Sequence, residues 1–225
     1  MGKWKKWLSA GLYTAMLGTA IIAGPTADVS ANAGNKPYNI ENVSPDAHLA
    51  PSVGDSSSKT SSKAWHKIDG VCYNGSGKKV EGAITRGMDI SEWQGKINWK
   101  EAKKDLDFAF VRISYGTRHL DDYYDYNMTE AEAADVPVGT YVYSLAKTNK
   151  EALAEAQLAI RQMQGHKVSY PVAFDLEDEA TLGTLTRKEI SQIALTFCDE
   201  IRKAGYTPIL YMNLNWYNNF VDWNV

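Results

Sequence analysis

Three acidic residues stand out because of the company they keep. Asp89 is the lone acid in Gly87-Met88-Asp89-Ile90-Ser91, and Asp175 and Glu177 sit at i and i+2 in Val172-Ala173-Phe174-Asp175-Leu176-Glu177-Asp178. In an extended strand the i and i+2 side chains point to the same face. Two carboxylates on one face at the mouth of an apolar sheet repel each other and resist burial. At least one pKa then rises, leaving a proton donor beside an anion. Cleavage of a glycosidic bond needs that division of labour, with one group to protonate the leaving oxygen and one to stabilise positive charge at the sugar. The residues alone leave two other readings open. The acids could cap or salt-bridge a strand–helix loop, or an Asp-x-Glu pair could hold a divalent metal with water and phosphate. His48, His66, His119 and His166 are scattered without ligand spacing and read as surface residues. The chain also has no Gly-rich phosphate loop and no Gly-x-Ser-x-Gly elbow.

The elements that must position these acids follow from apolar runs bounded by turn residues. Five such runs are predicted strands: Gly87–Ser91, Phe108–Ser114, Pro137–Ser144, Pro171–Leu176 and Pro208–Asn213. They are short and almost wholly apolar, as expected of strands covered on both faces. Amphipathic segments lie between them. Thr148 with Glu151 predicts a capping box, Leu153, Ala156, Ile160 and Met163 follow at helical spacing, and Gly165 marks the stop. Thr186 with Glu189 repeats the design, with Ile190, Ile193, Phe197 and Ile201 on one face and Gly205 beyond. Asn98 with Glu101 starts a shorter helix. Alternating strands and helices imply a parallel sheet, in which ligands bind beyond the C-terminal strand ends. Asp89, Asp175 and Glu177 fall at those ends.

The rest of the chain reads as extensions. Lys3, Lys5 and Lys6 precede an apolar run from Leu8 to Ala23, then Gly24-Pro25 and the small-x-small Ala31-Asn32-Ala33. That is the layout of a secretory signal peptide over 1–33. Residues 34–63 are rich in Ser, Asn and Pro and read as a linker. Over 64–85, Trp65, Ile68, Val71 and Tyr73 lead into Asn74-Gly75-Ser76-Gly77 and suggest a small aromatic hairpin, similar to one copy of a wall-binding repeat. Residues 86–225 form the main domain. Of the 225 residues 44% are hydrophobic and 23% charged, as in an ordinary globular protein, and the net charge of −3 argues against a nucleic-acid surface. Export would permit a disulfide between Cys72 and Cys198, but two unpaired thiols fit the sequence at least as well.

Set in order, the motifs resemble a known family. Met88-Asp89-Ile90-Ser91-Glu92-Trp93-Gln94-Gly95 with Asn98-Trp99 is similar to the opening of glycoside hydrolase family 25, the Chalaropsis-type lysozymes or muramidases. Phe108–Gly116 followed by Asp121 or Asp122 and Asn127, then Pro137–Ser144, Pro171–Glu177 and Gly205–Tyr211, match in order and type. The resemblance runs from Gly87 to the C-terminus. It implies a modified TIM-like β/α barrel that cleaves the β-1,4 bond between N-acetylmuramic acid and N-acetylglucosamine. It also implies general-acid duty for Glu177, orientation of the substrate's 2-acetamido group by Asp175 in a retaining, substrate-assisted reaction, and completion of the acidic cluster by Asp89. Tyr143 and Tyr211 would line the groove, and Arg112 would bind substrate or pair with an acid in the barrel mouth. Trp93 and Gln94 read as structural.

By that resemblance the protein is a secreted, wall-associated hydrolase acting on peptidoglycan glycan strands, with no cofactor, no metal, no nucleic-acid partner and no membrane association once the signal is cleaved; its oligomeric state is open. It departs from the family pattern in supplying five strands of eight, where such barrels usually need about 200 residues or more. The family's late Trp-Gln-Tyr segment and another groove-lining Asp are missing. The expectation is an incomplete barrel with apolar surface left bare at the fifth strand. The alternative to an enzyme is a catalytically impaired wall-binding fragment.

Overall fold

The computed structural model describes residues 66–74 and 77–225, together with the backbone of 12–15 and 19–22. The expected cleavage site, the linker and Trp65 lie outside the described residues. Within the expected signal segment, β1 (Leu12–Ala15) pairs antiparallel with β2 (Thr19–Ile22). Among the described residues no helix is long and apolar enough to cross a membrane.

Ahead of the main sheet lies a small meander. β3 (His66–Ile68) and β4 (Val71–Tyr73) join through Asp69-Gly70, both at positive φ, the backbone of a two-residue hairpin turn. The turn expected at Asn74–Gly77 follows immediately, and Tyr73 bridges Lys79 across it. Asp-Gly is a strong hairpin signal that the sequence reading passed over in favour of the second turn. Cys72 and Cys198 are buried and free.

All five expected strands are present: β5 (Gly87–Ile90), β6 (Phe108–Tyr115), β8 (Val138–Tyr143), β9 (Val172–Asp175) and β10 (Pro208–Tyr211). They pair in parallel in sequence order, β5-β6-β8-β9-β10, and the short β7 (His119–Leu120) adds antiparallel to β6. The helices are α1 (Trp99–Ala102), α2 (Tyr124–Ala133), α3 (Asn149–Met163), α4 (Glu179–Leu182), α5 (Arg187–Lys203) and α6 (Leu214–Asn219). The observed architecture is a mixed α/β fold around a mostly parallel central sheet.

Alternation along each strand sorts the residues into two layers. Ala109, Val111, Val138, Val142, Val172 and Phe174 face the helices and form the main core with Met128, Met163, Ile193 and Phe197. Phe174 stacks on Phe197 with ring centroids 4.0 Å apart. Phe108, Phe110, Tyr141, Tyr170, Ala173, Ile209 and Tyr211 form a second cluster on the opposite face. Its rings need glycine beside them. A Cβ on Gly87 would lie 2.2 Å from the Phe108 ring, and one on Gly139 would lie 2.6 Å from both the Phe110 ring and the Pro171 carbonyl oxygen.

Local signals place the helix starts. Thr186 and Glu189 make the full reciprocal capping box on α5. On α3, Thr148 caps the Glu151 N–H, but the Glu151 carboxylate reaches the Lys147 N–H instead of closing the box. The C-terminal segment folds back onto α5: Trp216 and Val221 are buried, Arg187 Nη2 donates to the Val221 carbonyl at 2.6 Å, and the Asp222 N–H donates to Ser191 Oγ at 2.8 Å. At the fifth strand, β10 pairs only with β9 among the described residues, its Ile209, Leu210 and Tyr211 are half-buried, and Leu214 and Tyr217 beyond it are exposed.

Candidate active site

The register fixes which side chains share the face opposite the helices. Asp89 aligns with Phe110, Arg112 with Tyr141, and Tyr141 with Ala173. One row nearer the C-terminal rim, Tyr143 aligns with Asp175, and Asp175 with Tyr211. The six residues singled out from the sequence, Asp89, Arg112, Tyr143, Asp175, Glu177 and Tyr211, thus converge on one side of one sheet. Hydrogen bonds continue past the strand ends and hold the rim: the Ser144 N–H donates to the Asp175 carbonyl, and the Leu176 N–H to the Tyr211 carbonyl.

The acids are placed where charge is costly. Asp175 and Glu177 are buried, at 7% and 9% exposure, and Asp175 Oδ1 and Glu177 Oε1 have no hydrogen-bond partner. Orphaned buried carboxylate oxygens are uncommon in a structural role and mark a group kept for a ligand or a proton. Burial pushes Asp175 well above the usual carboxylate range; the neighbouring Glu177 and Asp89 add to the rise, and Arg112 opposes it. Burial raises Glu177 to about 7, with Asp89 adding to the rise and Asn213 opposing it. Asp89 reaches solvent, yet it is walled in by enough protein that lost hydration raises it too.

Arg112 is committed to protein carboxylates. Its Nη2 lies 2.9 Å from Glu92 Oε1 and its Nε donates to Asp121 Oδ2 at 3.1 Å. Asp121 also accepts the Glu92 and Tyr123 N–H groups, and Glu92 Oε2 lies 2.7 Å from His119 Nε2. This network staples the 3-10 turn at Glu92–Gln94, which follows β5, to β6 and β7. Pairing with acids in the mouth is thus what the structure shows for Arg112, which leaves direct substrate contact the weaker half of the expectation. Trp93, read as structural from the sequence, is 71% exposed on that turn, and Gln94 closes a capping box with Ser91.

Three further residues join the face. Tyr141, two before Tyr143, lies under Asp89 and Asp175, and burial drives its hydroxyl pKa up; strand alternation could have found it. Tyr115 arrives through a bulge between Arg112 and Ser114 that returns it to the same side as Arg112, where it stacks on Tyr143. No residue type announces that bulge. Asn213 was read as the end of a strand; it begins α6, with its Oδ1 accepting the Trp216 N–H at 3.0 Å.

Fold and site together define an α/β protein with clustered, charge-frustrated carboxylates at the C-terminal rim of a parallel sheet. The chain belongs to the glycosyl hydrolases family 25, whose family model matches residues 88–224. It is 25% identical over 139 residues to the protein YegX of Escherichia coli (strain K12), covering 59% of this chain and 49% of that one. It is 37% identical over 60 residues to lysozyme M1 of Streptomyces globisporus, covering 26% and 20%. Among solved structures, the modular autolysin LytC of Streptococcus pneumoniae superimposes with a TM-score of 0.58 at 24% identity, covering 69% of this chain and 39% of that one; LytC has also been solved with a synthetic peptidoglycan ligand. The chain thus spans about half the length of the first of these relatives.

Proposed function

We propose that this protein is a peptidoglycan hydrolase of the muramidase type, exported to the cell wall, cleaving the β-1,4 bond between N-acetylmuramic acid and N-acetylglucosamine. The observation that carries the reading is the Asp175/Glu177 pair: same face, buried, each with one oxygen left without a partner. Family membership and the peptidoglycan complex of LytC support the choice of substrate. We read β5, β6, β8, β9 and β10 as consecutive strands of a β/α barrel, with the Phe108–Tyr170 cluster as barrel filling beneath the site.

In this mechanism Glu177 gives its proton to the leaving glycosidic oxygen as the C1–O bond breaks. The carbonyl oxygen of the sugar's own 2-acetamido group bonds to C1, and Asp175 accepts a hydrogen bond from the acetamido N–H as that nitrogen gains positive charge. Water then adds to C1, yielding its proton to Glu177 and reopening the ring with retained configuration. The two acids compete for one proton, so the pair titrates as a unit. Burial and like charges raise both acids. An acetamido N–H donated to Asp175 stabilises its anion, which favours the shared proton on Glu177, where the leaving oxygen needs it. Asp89 keeps the pair's proton affinity high, Arg112 balances the charge, and Tyr143, Tyr211 and Tyr115 flank the sugar.

Borohydride reduction of digested, purified walls tests the bond that is cut. The reading expects new muramitol ends; glucosaminitol ends or released peptides would refute it.

A further inference from the structure

We propose that Glu155 is a positioning residue for the site: from α3 its carboxylate holds the end of β8, and so sets the Tyr143–Tyr115 wall and the Asp175 backbone. The proposal deepens the muramidase reading and rests on it for its catalytic meaning. Glu155 shares one helix face with Ala152, Ala156 and Ala159, all fully buried. Such small neighbours let α3 lie close to the sheet, and the carboxylate reaches the strand end. There Glu155 Oε1 accepts the Leu145 N–H at 3.0 Å, and Oε2 accepts the Ser144 hydroxyl at 2.8 Å. The same hydroxyl oxygen accepts the Ala146 N–H at 3.2 Å. One carboxylate thus fixes, directly or through one hydroxyl, three consecutive residues where β8 leaves the sheet.

Those residues are in turn tied to the rim. Ser144 follows Tyr143 directly, and its N–H donates to the Asp175 carbonyl at 3.0 Å. The Tyr143 carbonyl accepts the Gly116 N–H at 2.8 Å, and Gly116 follows Tyr115, which stacks on Tyr143. The Leu145 side chain packs against Gly116, where an added Cβ would lie 3.1 Å from Leu145 Cδ1. A shift of Ser144 or Leu145 therefore moves Tyr143, the turn after Tyr115 and the Asp175 carbonyl together. Glu155 lies in the helix layer, behind the sheet from the acids, so it acts through the backbone. Burying a carboxylate is a costly way to pin a loop. An apolar side chain could not replace it, because the Leu145 N–H and the Ser144 hydroxyl would be left without their acceptors.

Three variants of the full-length protein test this role. Glu155→Leu removes both acceptors, Ser144→Ala removes the shared hydroxyl, and Glu155→Gln can keep both contacts. In Glu155→Leu the Ser144 and Gly116 amides are expected to exchange hydrogen about 10-fold faster or more, the scale of losing a hydrogen bond to a charged group. The Ile193 and Phe197 amides inside α5 give the reference for general loosening. On soluble glycan fragments KM is expected to rise about 2- to 10-fold, the scale of one aromatic contact. The same variant should lose about 10- to 100-fold in kcat, the scale of a misplacement of about 1 Å. Unfolded molecules would lower the apparent kcat and leave KM alone, so the KM rise separates positioning from lost stability. Ser144→Ala should follow in the same direction, and Glu155→Gln should match wild type. Ser144 and Gly116 amides that keep their wild-type exchange in Glu155→Leu, or in Ser144→Ala should the former not fold, would overturn the proposal. A wild-type protein that fails to cut peptidoglycan would sink the muramidase reading alone, since amide exchange still decides whether Glu155 holds the rim.

Discussion

Tyr115 stacks on Tyr143 with ring centroids 4.9 Å apart and planes 17° from parallel. Without the bulge between Arg112 and Ser114, strand alternation would aim Tyr115 into the helix layer. The bulge instead makes it the outer wall of a rim whose inner wall is Tyr143, beside Asp175. Tyr115 is also 38% exposed, so one face of the pair is open to a sugar ring. Tyr115→Ala is expected to raise KM about 2- to 10-fold, the scale of one aromatic stacking contact, while kcat changes little. Initial rates on soluble glycan fragments would decide, and an unchanged KM would remove Tyr115 from the groove.

Asp89 bears on the acids by charge. Its carboxylate raises both Asp175 and Glu177. Asp89→Asn keeps the shape and removes the charge, so Glu177 should lose its proton at lower pH. The alkaline limb of kcat/KM is therefore predicted to move downward. A limb that stays in place would show that Asp89 does not act on the pair.

Arg112 is the keystone of the β5–β6 rim. Its removal leaves Asp121, whose side chain is 1% exposed, without a counter-charge. Breaking a buried pair by deleting one partner costs about 3–5 kcal/mol. Arg112→Met is expected to lose stability on that scale in urea melts, and activity with it. Adding Asp121→Asn should restore part of the loss, because the stranded charge is then gone.

Glu155 gives the fold its own pH dependence. It is 2% exposed, accepts from Ser144 Oγ at 2.8 Å and the Leu145 N–H at 3.0 Å, and is pushed up to about 7 by burial. A carboxyl whose folded pKa exceeds its unfolded value near 4.5 binds more protons when folded. Its contribution is thus fully present below that unfolded value and declines as pH rises through 7. Glu155→Gln can keep both hydrogen bonds without the charge, so it should flatten this decline and gain about 2–3 kcal/mol at pH 8. Melts of both proteins at pH 5 and pH 8 would show it; equal slopes would exclude Glu155 as the cause.

The sequence carried the strands and two long helices because their signals are local. Five apolar runs bounded by turns, the Thr186/Glu189 box and the Ile190–Ile201 stripe all reappear in the structure. The convergence of Asp89 with Asp175 and Glu177 was legible too, since parallel strands in sequence order put their C-terminal ends on one rim. What escaped depended on non-local partners. α2 begins at Tyr124 without a side-chain cap and buries Asn127 as well as Met128, so no clean amphipathic stripe announced it. Asn127 is buried because its amide ties Gly95, Ile97 and Trp99 to the helix. Asn213 opposes the rise of Glu177 from a loop that no spacing rule connects to it.

If Glu177 delivers the proton that breaks the glycosidic bond, turnover of purified peptidoglycan must depend on it, and Glu177→Gln removes that proton while keeping the side chain's shape. With folding matched to wild type by circular dichroism, kcat is expected to fall about 10²-fold or more, the scale for loss of a general acid. A variant that clears cell walls within a few-fold of the wild-type rate would contradict it.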